Sequence, residues 1–126
     1  MDDSQRFERG LAIRKEVLGT DYVEASIRGA DEFTRDIQQL VTEYAWGEIW
    51  SRPGLSRRDR SLLNLGMITA LNRPHELRLH VRGALANGVS KDEIKEVFLQ
   101  TAVYCGAPAA LDSFRVAREV FAEMGV

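Results

Sequence analysis

The sequence predicts an all-α protein of about six helices, and three features of its 126 residues carry that reading. Apolar side chains recur at spacings of three and four, the period of a helix with one buried stripe. No stretch alternates apolar and polar residues long enough to make a half-buried strand. Pro53, Pro74 and Pro108 all fall between the periodic segments and never inside one.

Taken in order, a first helix is expected over residues 3–18, closed by Gly19, with a short segment over 22–28 after it. Phe33, Ile37, Leu40, Val41 and Tyr44 then form a single apolar stripe. Residues 46–55 carry Gly47, Pro53 and Gly54 and read as irregular. Ser56-x-x-Asp59 resembles a capping box and opens a helix to about residue 71. Pro74 suits the first turn of the next helix, which Gly88 ends. Ser90-x-x-Glu93 is a second capping box, opening a helix to about residue 105 whose stripe is Ile94, Val97, Phe98, Thr101, Ala102 and Cys105. A last helix over about 108–124 is expected to bury Leu111, Phe114, Ala117, Val120 and Phe121.

The helix carrying Leu62, Leu63, Leu65, Met67, Ile68 and Leu71 is apolar nearly all round, so it must be covered on every side. In a domain this small the extra cover points to another subunit, and a homo-oligomer is expected. The length is that of one domain, residues 1–126. A chain this short has little room for a deep cavity of its own, and enzymes of this size often build pockets where subunits meet.

Net charge is −2, which gives no pull toward nucleic acid or an anionic membrane, and neither partner is expected. No apolar run approaches the ~20 residues of a membrane span, and the acidic start Met1-Asp2-Asp3 does not resemble a signal peptide. Cys105 stands alone, so one chain forms no disulfide and no Cys-x-x-Cys pair. These features together read as cytoplasmic. Arginine supplies fourteen of the seventeen cations, a lean toward bidentate carboxylate binding that Arg-rich helix surfaces also produce.

Chemistry concentrates on the helix with both histidines, His75 and His80. At about 100° per residue Leu77, Val81, Ala84 and Leu85 form its apolar face, with His80 at the border. Glu76 lies one turn before His80, so their side chains can meet, and Arg73 precedes both at the helix entrance. A carboxylate beside an imidazole fixes the tautomer and favours the protonated ring, which makes an acid/base unit. The plainer alternative is an ordinary surface pair with a partly buried histidine. Metal binding is not expected, because Glu76 and His80 supply only two ligands and no second cluster follows. Cys105 ends an apolar stripe and reads as a buried core thiol. The Arg57-Arg58-Asp59-Arg60 cluster at a helix start suits an anion but is isolated as a basic block. Trp46 and Trp50 read as core, with a flat pocket wall as the alternative. There is no phosphate loop, dinucleotide fingerprint or Ser-His-Asp order.

Read continuously, the chain resembles the carboxymuconolactone decarboxylase family. The likeness runs through Arg6-Phe7-x-x-Gly10, Val17-Leu18-Gly19, the stretch from Trp46 to Leu55, Arg60-Ser61-Leu62, Asn72-Arg73 and Glu76-Leu77-x-Leu79-His80. It continues in Asn87-Gly88-Val89, Glu93-Ile94-Lys95-Glu96-Val97 and Tyr104-Cys105-Gly106-x-Pro108-Ala109-Ala110. The related alkylhydroperoxidase D branch carries Cys-x-x-Cys-x-x-x-His. Here Arg73 and Glu76 stand at the two cysteine positions and His80 at the histidine, so dithiol turnover is excluded there.

The resemblance implies an antiparallel helical bundle of alkylhydroperoxidase D type, assembled as a trimer or hexamer. It also implies cofactor-free loss of CO2 from a small lactone carboxylate, 4-carboxymuconolactone. On that reading His80 donates the proton and Glu76 orients it. Arg60 and Arg73 contact the substrate's carboxylate and oxyanion, and Trp46 and Tyr104 are walls. The rival readings are a lyase or isomerase for a related lactone or β-keto acid, a catalytically silent oligomeric binding protein, and a thiol redox protein using Cys105.

Overall fold

In the computed structural model, which describes residues 2–126, every regular element among the described residues is helical. The α-helices are α1 (Asp3–Leu18), α2 (Thr20–Arg28), α3 (Arg35–Leu40), α4 (Arg57–Ala70), α5 (Pro74–Ala86), α6 (Lys91–Cys105) and α7 (Ala107–Met124). The described residues, all but Met1, cluster into two compact units that divide between Ser56 and Arg57.

In the first unit α1 opens on a capping box made by Asp2 and Gln5 and turns into α2 at Gly19, whose φ of +98° suits glycine. Residues 50–55 are irregular as expected, but residues 46–49 are helical. Helix α3 runs straight into a π-helical segment, Val41–Ile49, whose wider turns end with Trp50 N–H donating to the Ala45 carbonyl at 2.9 Å. Gly47 is not a breaker here. It is where α1 and the π-helical segment, running antiparallel, come backbone to backbone. A Cβ added at Gly10 would lie 1.9 Å from the Thr42 carbonyl oxygen, and one at Gly47 would lie 2.3 Å from that of Arg6. Ile13, Val17, Trp46 and Trp50 fill the remaining space. The α3 stripe is turned outward, with Phe33 82 % exposed and Ile37, Leu40 and Tyr44 more than half exposed. The inward side is polar instead: Arg14, only 6 % exposed, donates to Gln38 at 3.0 Å and Thr42 at 3.2 Å.

The second unit is a four-helix bundle with neighbours in the order α4, α5, α7, α6. The α4–α5 and α6–α7 hairpins are antiparallel. Asn87, at the end of α5, donates to Ser61 near the start of α4, and Phe98 of α6 meets Phe114 of α7 edge to face at 5.3 Å. Across the hairpins the neighbours are parallel. Arg58 and Glu93 pair near the starts of α4 and α6, and Arg78 and Arg82 of α5 pair with Glu119 and Glu123 of α7. Leu65, Leu77, Val81, Ala84, Val89, Ile94, Phe98, Ala117 and Val120 form the core.

One expectation about a buried face is overturned. Leu111 and Cys105 are exposed rather than buried, because the ends of α6 and α7 near their junction turn Val103, Tyr104, Cys105 and Leu111 outward. Helix α4 buries Leu65 and half-buries Leu62 and Ile68, but leaves Leu63, Met67 and Leu71 exposed in one row.

Candidate active site

Helix α5 begins at Pro74, whose missing N–H suits a first turn, and it faces the core through Leu77, Val81 and Ala84. That fixes the direction of every other residue on the helix. His80 falls at the edge of the buried face and is half-buried, while Glu76, one turn earlier, is exposed. The pair interacts electrostatically as its spacing requires. Burial of the imidazole lowers its proton affinity, and the Glu76 carboxylate raises it by less, so the pKa lies below the ordinary histidine value. This corrects the expectation that Glu76 keeps the ring protonated. The neighbour acts in the expected direction, but the apolar surroundings outweigh it.

The remaining candidates in this unit lie to either side along the helix axis. Arg73 is the N-cap of α5, seven residues before His80, or about 10 Å along the axis at 1.5 Å per residue. Arg60 is half-buried in the first turn of α4. The next residue, Ser61, accepts from Asn87 at 2.9 Å, so Arg60 lies toward the far end of α5. Tyr104, 78 % exposed, is at the end of α6, which runs parallel to α4, and so lies toward the Arg73 end. The structure thus brings Glu76 within electrostatic reach of His80 and spreads Arg60, Arg73 and Tyr104 toward the two ends of the bundle. Trp46 belongs to the first unit, where it is buried and stacked on Trp50 with ring centroids 4.8 Å apart.

Two polar ties that hold α5 and its neighbours in register were not picked out from the sequence. Asn87 closes α5 onto Ser61, and the hydroxyls of Thr69 and Ser113 meet at 2.8 Å between α4 and α7. The available signal was a hydroxyl residue, Ser61 or Thr69, set on the inward face of an apolar helix. Among the described residues, no three His, Cys, Asp or Glu side chains are grouped to hold a metal ion, and no helix is long and apolar enough to cross a membrane.

The sequence profile of the carboxymuconolactone decarboxylase family matches residues 35–119, which hold every one of these candidates. The chain belongs to that family. Its similarity to individual members extends further. A 4-carboxymuconolactone decarboxylase of Acinetobacter baylyi is 44 % identical over 126 residues, covering 100 % of this chain and 94 % of that one. A nitrosuccinic acid decarboxylase of Metarhizium robertsii is 48 % identical over 118 residues, covering 94 % of this chain and 82 % of that one.

Proposed function

We propose that this chain decarboxylates 4-carboxymuconolactone to the enol-lactone of 3-oxoadipate, a step of protocatechuate breakdown, in the cytoplasm and without a cofactor. The observation that carries the reading is the half-buried His80 beside Glu76, in a chain similar over its full length to a 4-carboxymuconolactone decarboxylase. Residues 1–126 act as one functional domain.

The substrate is its own electron sink. Its leaving carboxylate sits on the lactone carbon next to a ring double bond conjugated to the lactone carbonyl. Breaking the bond to CO2 moves the electron pair through that double bond onto the carbonyl oxygen, giving a dienolate. Protonation at the carbon beside the carbonyl completes the reaction, so CO2 leaves and one proton is taken up. The protein has to hold the remote carboxylate, support the oxyanion and deliver that proton.

His80 delivers the proton. In the free site burial disfavours the charged form of the ring. A substrate bearing two carboxylates brings negative charge to the ring and restores its proton affinity, so the acid is charged when the substrate binds. Arg73 and Arg60 suit the remote carboxylate and the developing oxyanion, since an arginine beside the departing carboxylate would hold CO2 back. Tyr104 serves as a wall. The exposed rows Leu63–Met67–Leu71 and Phe33–Ile37–Leu40–Tyr44 support a homo-oligomer, a trimer or hexamer, in which they are covered. A monomeric mass by light scattering at micromolar concentration would overturn that assembly.

The higher identity to a nitrosuccinic acid decarboxylase favours a second substrate reading. A carboxylate on the carbon that bears a nitro group loses CO2 by the same logic, with the nitro oxygens as sink and a second carboxylate left to hold. The deciding assay follows the ultraviolet loss of 4-carboxymuconolactone, generated in situ, with wild type and His80→Ala side by side. Turnover by wild type, cut at least ~100-fold in the variant, supports both the reaction and the acid. Equal turnover removes His80 as the donor. No turnover by either transfers the proposal to nitrosuccinate, assayed in the same way.

A further inference from the structure

Thr69 on α4 and Ser113 on α7 are 2 % and 3 % exposed, and their hydroxyl oxygens are 2.8 Å apart. Two hydroxyls carry two protons, and one hydrogen bond between them uses only one. Whichever oxygen accepts keeps its own proton, and a buried donor with no acceptor is costly, about 1–3 kcal/mol. A buried helical hydroxyl can instead spend its proton on a carbonyl one turn back. Thr101 donates to Val97 at 2.7 Å in this way, and neither Thr69 nor Ser113 does so.

Beside the pair is a cavity of about 10 Å³, whose lining includes Thr69, Asn72, Arg73, Pro74, Asp112 and Ser113. That space is about what one water molecule requires. Its walls hold further oxygens able to accept. Asp112 uses Oδ1 to accept from Arg115 at 2.8 Å, which leaves Oδ2, and Asn72 contributes a side-chain amide. Asn72 is held at the wall by a left-handed backbone, φ +56°, with its N–H on the Thr69 carbonyl at 3.0 Å. No side-chain cap closes the first turn of α5, which starts at this same corner.

We propose that this cavity is a binding site for one ordered water, which accepts the surplus hydroxyl proton of the Thr69–Ser113 pair and donates to the Asp112 carboxylate or the Asn72 amide oxygen. The water ties together the end of α4, the turn into α5 and the start of α7. It thereby fixes the corner from which the helix bearing Glu76 and His80 departs. The site is independent of which substrate the enzyme takes.

The test is a crystal structure of the wild-type protein at a resolution where single waters are visible, with Thr69→Val/Ser113→Ala alongside it. In the wild type one peak is expected within hydrogen-bonding distance of a hydroxyl of the pair and of Asp112 or Asn72. In the double variant, whose apolar side chains offer nothing to a water, that peak is lost. A wild-type cavity that is dry, or a hydroxyl rotated onto a backbone carbonyl, overturns the proposal without recourse to the variant. A peak that persists unchanged in the double variant also overturns it, since the hydroxyls then do not hold the water.

Discussion

In residues 2–56 the helices meet backbone to backbone, at Gly10 and Gly47, and a buried arginine donates to side-chain oxygens. In residues 57–126 they meet through interleaved Leu, Val, Ile and Phe side chains, with a few hydroxyl ties between them. The first arrangement tolerates no added atom at the crossing. The second is sensitive to removed atoms. The same class of substitution therefore has opposite consequences in the two units, and experiments can be ordered by how hard they press on that contrast.

The largest effect is expected from Phe98→Ala, which empties the centre of the second core. A loss of about 3–5 kcal/mol should appear in denaturant unfolding. Next is a matched pair of glycine substitutions. Gly10→Ala drives a methyl into backbone atoms at 1.9 and 2.7 Å that cannot give way, so a loss of about 3 kcal/mol is expected. Gly66→Ala, in α4, meets nothing closer than 3.9 Å and should be neutral or gain up to about 1 kcal/mol from helix propensity. Equal destabilisation by the two would erase the contrast.

His80 gives a smaller, pH-dependent effect. Its pKa is lowered in the folded chain by burial, against an unfolded value of about 6.5. Below that value the unfolded chain takes up a proton that the folded chain resists. Stability should be level above it and fall as the pH drops through the folded pKa. Comparing urea midpoints across this range for wild type and His80→Asn isolates this pH dependence, which the variant should lack. The smallest change is Arg82→Ala. Its bond to Glu123 at 2.6 Å is exposed, and its loss should cost at most about 1 kcal/mol, less in high salt.

The second unit was largely legible in the sequence because its helices are ordinary ones. Pro74 starts α5, and the Ser90–Glu93 box starts α6 with both reciprocal bonds made. The π-helical segment was not legible, because apolar spacing is judged against 3.6 residues per turn and Gly47 looks like a breaker until its crossing partner is known. Periodicity also reveals that a helix has two faces without saying which one a single chain buries. In α3 the apolar side points out, because Gln38 and Thr42 are needed against Arg14. At the candidate site the spacing of Glu76 and His80 was visible, but the depth of His80 was not. That depth decides the direction in which its pKa moves.

The π-helical segment, Val41–Ile49, also bears on how this chain can change its length. In an α-helix each residue advances the next by about 100°, so deleting one residue swings everything beyond it to another face. Within α4 or α6 such a deletion would carry Leu65 or Phe98 out of the core. A run bonded five residues back holds a spare residue in its turns and can lose one by tightening to ordinary α bonding, with its flanks still in phase. Single-codon deletions that spare Thr42 and Gly47 should therefore be far better tolerated between residues 41 and 49 than anywhere in α4 or α6.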